Sequence, residues 1–113
     1  FSSKSETQGL VLLEAMAQGT PVVGIAELGT ASILHEGQGA LIATENAVEF
    51  SDKVASLIED HSKRDLLSQK AKDYAFCVWS ADVQAQRMVN FYQKTIEQYQ
   101  FKKSSLPYVT LTD

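Results

Sequence analysis

Two short, wholly apolar runs, residues 21–25 and 40–43, lie between longer segments whose apolar residues recur at helical spacing, and few architectures accept that alternation. A strand that is apolar at every position has to be covered on both faces, which points to a parallel sheet with crossover helices. The expected fold is therefore α/β, a parallel sheet with flanking helices. A first helix is expected over 10–18, closed by Gly19 where a left-handed residue is wanted, with Pro21 beyond it. Glu27, Leu28, Gly29 and Thr30 form a turn into a brief helix at 31–34, and Gly37 and Gly39 bend the chain before 40–43. Asn46, with Glu49 three residues later, has the form of a capping box that opens a helix in which Phe50, Val54, Leu57 and Ile58 share one face. Ser62 with Asp65 opens another, ending near Tyr74. Ser80 opens the longest, to about residue 100, where Ala85, Met88, Val89, Tyr92, Ile96 and Tyr99 recur as a stripe of the kind that forms a core or docking face. Residues 101–113 form a tail, read either as disordered or as an added edge strand.

A chain of 113 residues, 44% of them hydrophobic, suits one small domain with a real core. Residues 1–4 carry no initiator methionine, basic n-region or apolar h-region, so the chain reads as a piece of a longer protein and not as a signal peptide or membrane anchor. A net charge of -4 spread along the chain argues against a dedicated nucleic-acid binder, which would show a basic face. Cys77 has no partner for an internal disulfide, and its neighbours Tyr74, Phe76, Val78 and Trp79 suggest a buried structural thiol. His35 and His61 lack ligand spacing, so no metal is expected.

Chemistry concentrates at residues 6–14. Glu6 and Glu14 bracket Gly9 and the apolar run Leu10, Val11, Leu12, Leu13. With apolar neighbours on nearly every side, Glu14 is expected to be buried and to need a partner, for which a ligand hydroxyl is suited. Gly9 has no side chain, so a ligand can approach the main chain there. The amides of Gly9, Leu10 and Val11, at a helix start near the carboxyl end of a strand at residues 1–3, have no intrahelical acceptors and favour an anion. Glu14 stands some ~8 Å along the helix axis from Gly9, at ~1.5 Å per residue, a span suited to two ends of one ligand. Two readings remain open: a ligand site of this kind, or a noncatalytic α/β interaction module in which Glu6 helps cap a helix and Glu14 pairs with a basic residue.

The segment from Ser5 to Val23 resembles the signature of retaining glycosyltransferase family 4, the glycosyl transferases group 1, in which two glutamates are separated by seven residues. The likeness continues through the turn at Gly29, a helix start at Thr30, the run Glu36, Gly37, Gln38, Gly39 before 40–42, and Trp79 with Ser80, covering roughly residues 1–100. It implies the second half of the C-terminal domain of a GT-B (twin-Rossmann) enzyme: residues 1–100 as part of the nucleotide-sugar-binding domain, 101–113 as a C-terminal tail. It further implies a hexosyltransferase that takes a sugar from a nucleoside-diphosphate donor with retention. Glu6 would be the catalytic-site acid that accepts hydrogen bonds from the donor sugar. The amides of Gly9, Leu10 and Val11 would hold sugar and diphosphate oxygens, and Glu14 the ribose diol. The nucleotide sugar is a co-substrate, with no cofactor or metal implied. Partners would be the N-terminal domain of the same chain and an acceptor that is a lipid or a saccharide, a lipid because Ser5, Glu6, Thr7, Gln8 and Gly9 have the form seen in bacterial lipid glucosyltransferases. The last helix would dock on the missing domain or drive self-association of the fragment, which alone would be inactive. The location would be cytoplasmic, or peripheral at the inner face of the membrane. A GT-B epimerase or inverting transferase is the neighbouring alternative. Gln8, Leu28 and Ser32 depart from the family pattern, which has an aromatic, the first of two glycines and an acid at those places.

Overall fold

The computed structural model describes residues 1–3, 5 and 7–105 and divides into two units, Phe1–Ser80 and Ala81–Asp113. In the first, helix α1 (Leu10–Ala17) leads to strand β1 (Val22–Gly24), a 3₁₀ turn (Leu28–Ser32), strand β2 (Ala40–Ile42), and helices α2 (Ala47–Glu59) and α3 (His61–Trp79). β1 and β2 are parallel, with Val22, Val23 and Gly24 facing Ala40, Leu41 and Ile42. Phe1 adds to the other side of β1: its nitrogen donates to the Val23 carbonyl at 2.7 Å and its carbonyl accepts from Ile25 N at 3.4 Å. This is the bonding pattern of a third parallel chain.

Alternation along the strands divides the interior. Val22 and Ala40 belong to a cluster with Leu12 and Met16 of α1, Ile33, Leu34, and Ala71, Tyr74 and Ala75 of α3. Val23 and Leu41 face the opposite way, onto Ala43, Leu57 of α2 and Leu67 of α3, with Phe50 and Val54 packed alongside. Both strand faces are therefore covered, which is why these runs are apolar throughout.

Local chemistry sets the element ends. α1 closes with Thr20 N bonded to the Ala15 carbonyl and Gly19 N to the Met16 carbonyl, both at 2.9 Å, the paired bonds of a Schellman motif. Asn46 caps α2, accepting from Val48 N at 2.9 Å and Glu49 N at 3.1 Å. The Glu49 carboxylate, however, accepts from the Thr44 hydroxyl and lies 3.6 Å from Lys53, where a capping box would have turned it back to Asn46. α3 starts two residues earlier than Ser62 would have set it, because Asp60 is the cap and accepts from Lys63 N at 2.9 Å.

Other expectations need correction. α3 continues past Tyr74 to Trp79, the segment holding Val78 and Trp79 against the α1 side of the core. Cys77 is exposed, not buried: Leu67, Ala71, Tyr74 and Ala75 take the inward stripe of α3, and Phe76 and Cys77 fall outside it. Ile58 is 64% exposed at the margin of the α2 face, beyond Phe50, Val54 and Leu57. The brief helix expected at 31–34 is instead the 3₁₀ turn Leu28–Ser32, fixed by Thr30.

Among the described residues β2 has no strand beyond it, yet its outer edge is occupied. Ile42 N donates to Glu36 Oε2 at 2.6 Å, Gly37 N donates to the Ala40 carbonyl at 2.9 Å, and Lys53 Nζ donates to the Ile42 carbonyl. The second unit is helix α4 (Ala81–Ser105), which extends through the first five residues of the expected tail. Met88, Val89, Tyr92, Ile96 and Tyr99 are exposed along it, and Lys102 and Lys103 complement the dipole in its last turn. Among the described residues no helix is long and apolar enough to cross a membrane. The expected strand or disorder at 106–113 lies outside the described residues.

Gly39 is the tightest point of the fold. An added Cβ would lie 2.4 Å from the Ala71 Cα and 2.8 Å from its nitrogen, and the backbone φ is 85°. Gly37 has a similar φ of 77° but open space around it. In urea unfolding, Gly39→Ala should lose about 3 kcal/mol, the sum of a backbone clash and an unfavourable φ, against about 1 kcal/mol for Gly37→Ala. Asp60→Ala should lose about 1 kcal/mol as a removed cap, while Ser62→Ala stays within about 0.5 kcal/mol of the parent.

Candidate functional site

α1 begins immediately after Gly9, which takes a left-handed conformation with φ 63° and ψ 22°. The Gly9 carbonyl accepts from Leu12 N at 3.0 Å and Leu13 N at 3.4 Å, so Leu10 and Val11 are the first-turn residues whose N–H groups have no intrahelical acceptor. Phe1 lies beside β1 and α1 follows it in the chain, so these N–H groups open at the carboxyl end of the sheet, where parallel α/β folds take ligands.

The requirement for glycine at position 9 differs from the one expected. Gly9 is buried, and an added Cβ would meet Ile33 Cδ1 at 2.8 Å and the Gly29 carbonyl at 3.9 Å. Packing against the 3₁₀ turn and a positive φ demand glycine here, not the approach of a ligand to that side of the chain.

Glu14 is exposed, which overturns the argument that burial forces it to find a partner. Leu12 and Met16 are the buried positions of α1, and Glu14, halfway between them, points the other way. What the structure does bring together is Leu10, Val11 and Glu14: three and four residues apart, they share the exposed side of the helix. Leu10 is 57% and Val11 55% exposed. Glu6 lies outside the described residues.

The 3₁₀ turn beside Gly9 was not legible as a structural device. Glu27 and Thr30 hold each other, the Glu27 side chain accepting from Thr30 N and Thr30 Oγ1 accepting from Glu27 N at 2.9 Å. Thr30 is fully buried, with its Oγ1 2.9 Å from the Ile25 carbonyl and 2.6 Å from that of Glu27. The signal available in advance was an acid three residues before a threonine, a capping box written in reverse order. Between these two residues sits Leu28, with φ 48°, 70% exposed.

A separate cleft of ≈ 470 Å³ lies where β2 ends, walled by Ser2, Ile25, Thr44, Asn46, Phe50 and Ser51. Its rim includes the Thr44 hydroxyl, whose hydrogen bond holds the Glu49 carboxyl below its ordinary pKa, with smaller help from Lys53. His35 packs edge-on to Tyr74, their ring centroids 6.0 Å apart, and His61 Nδ1 lies 2.7 Å from an Arg64 nitrogen. Among the described residues no three His, Cys, Asp or Glu side chains gather as a metal site.

A parallel sheet covered on both faces, with a helix start opening at its carboxyl end, defines a Rossmann-like α/β protein. Residues 1–74 match the family described as glycosyl transferases group 1, and the chain belongs to that family. It is 35% identical over 74 residues to a D-inositol 3-phosphate glycosyltransferase of Corynebacterium aurimucosum, covering 65% of this chain and 18% of that protein. A D-inositol 3-phosphate glycosyltransferase of Catenulispora acidiphila is 33% identical over 97 residues, 84% of this chain and 23% of that protein. The sulfoquinovosyl transferase of Arabidopsis thaliana is 35% identical over 75 residues, 63% of this chain and 15% of that protein. The chain thus spans about a fifth of the length of the curated relatives it matches. No solved structure matches it.

Because the Glu49 pKa is lowered on folding, its stabilising contribution is present above the unfolded carboxyl pKa and disappears as pH falls through the lower folded value. Thr44→Val should move the Glu49 midpoint, followed by carboxyl-carbon NMR, back up toward the ordinary value, and acid unfolding should begin at higher pH.

Proposed function

We propose that this chain is the donor-binding part of a retaining glycosyltransferase that moves a sugar from a nucleoside diphosphate to an acceptor. The observation that carries the reading is the shared exposed face of Leu10, Val11 and Glu14, with two N–H groups at one end and a carboxylate about one turn further on, inside the family's two-glutamate segment. Oxygens of the sugar or diphosphate accept from the amides at Gly9, Leu10 and Val11. The Glu14 carboxylate accepts from both hydroxyls of the ribose, a pairing suited to its two oxygens. Glu6 is assigned to the hydroxyls of the transferred sugar. As the glycosidic bond breaks, charge grows on the leaving diphosphate, and a helix start that presents N–H groups stabilises it there.

In this reading residues 1–100 form a fragment of the C-terminal, nucleotide-sugar-binding domain of a GT-B enzyme, and 101–113 are a tail. The acceptor site and the cationic phosphate ligands come from other parts of the protein, so the chain alone binds donor weakly and transfers nothing. The donor is a co-substrate, no cofactor or metal takes part, and the enzyme works in the cytoplasm. The acceptor is a saccharide or a lipid.

Amide NMR titration with millimolar uridine, guanosine and adenosine diphosphates tests this. One nucleotide should shift Gly9, Leu10, Val11 and Glu14 together, and Glu14→Gln should weaken its binding by about tenfold, the loss of a charge-assisted bond. Equal affinity in the variant would leave Glu14 as a solvated surface acid and favour a noncatalytic module.

A further inference from the structure

Leu28 combines three properties that rarely coincide. Its φ of 48° lies in the left-handed region that bulky residues avoid, its side chain is 70% exposed, and the carbonyl of the next residue, Gly29, lies 3.9 Å from where a Cβ on Gly9 would stand. An exposed leucine held in such a backbone gains nothing from burial. Strain of this kind persists only where the surroundings over-determine it, and here they do. The reciprocal Glu27 and Thr30 bonds clamp the residues on either side, and Thr30 is anchored through its hydroxyl to the strand end at Ile25. The turn therefore presents Leu28 rigidly, beside a helix start whose own exposed residues, Leu10 and Val11, are also apolar.

We propose that Leu28 is a specificity-determining residue that packs on the nonpolar C–H face of the sugar of the bound donor. The inference rests on the reading of Gly9, Leu10 and Val11 as the donor site and adds a contact to the sugar that the nucleotide does not share. A hexose ring is amphipathic: its hydroxyls suit carboxylates and amides, and its axial C–H groups suit an aliphatic side chain. With the backbone of its turn already fixed, forming that contact costs side-chain freedom alone. It would favour neutral hexoses over sugars that carry a charge on that face.

The test compares a nucleoside diphosphate with the corresponding nucleoside-diphosphate glucose, titrated by amide NMR into the parent chain and into Leu28→Gly and Leu28→Ala. Both variants should weaken the sugar nucleotide by about fivefold, the value of a partly buried leucine, and leave the nucleoside diphosphate unchanged. Leu28→Gly should also raise the melting temperature, since glycine accepts the φ, whereas Leu28→Ala keeps the strain. Equal losses for both ligands, or no loss for either, would overturn the role of Leu28 while leaving the donor site intact. If the parent binds neither ligand at millimolar concentration, the donor-site reading fails and this inference with it.

Discussion

The contact of Gly39 with Ala71 is the constraint on which the arrangement of the first unit depends. Backbone meets backbone there, with no room for a Cβ on the glycine, so α3 lies against the entry to β2 at the smallest possible separation. From that point Leu67 reaches the cluster on one side of the sheet, and Ala71, Tyr74 and Ala75 reach the other. One helix thus ties both layers together. A bulkier residue at either position would push α3 away and open both clusters at once, because close-packed interiors transmit displacement instead of absorbing it.

The same economy governs the site. α1 is only eight residues long, too short to be a stable helix by itself, and it is held by Leu12, Met16 and the contact of Gly9 with Ile33. Its inner side is occupied with packing, and Leu10, Val11 and Glu14 stand exposed on its outer side. The family match supports sugar transfer at the level of the family, and the proposed reading assigns the donor to that outer side. The main chain offers donors at the start of the helix and a carboxylate follows within a turn or so. The neighbouring 3₁₀ turn adds a wall fixed by the buried Thr30.

Strand and helix positions were legible because they rest on short-range rules: wholly apolar runs for Val22–Gly24 and Ala40–Ile42, a glycine and proline after α1, an asparagine before α2. Burial was less legible. Glu14 sits in an apolar run, but two of those apolar residues, Leu10 and Val11, are themselves exposed, so neighbours in sequence gave a false picture of neighbours in space. Cys77 failed for the same reason. The cap of α3 was misassigned because Asp60 and Ser62 are both good capping residues two positions apart, and only the bond to Lys63 N distinguishes them. The side-chain occupants of the β2 edge could not have been foreseen, since Glu36 and Lys53 reach it from opposite sides of the strand in sequence.

That closed edge gives the sheet a direction. An open strand invites any other extended segment to continue it, including the same strand of another molecule, and that is how many α/β proteins begin to aggregate. On β2 the invitation is withdrawn by an acid, a base and a turn amide, all drawn from the strand's own flanks. The Ala40 carbonyl and both polar backbone groups of Ile42 are already engaged, so a second chain that approaches this border finds those hydrogen-bonding partners taken.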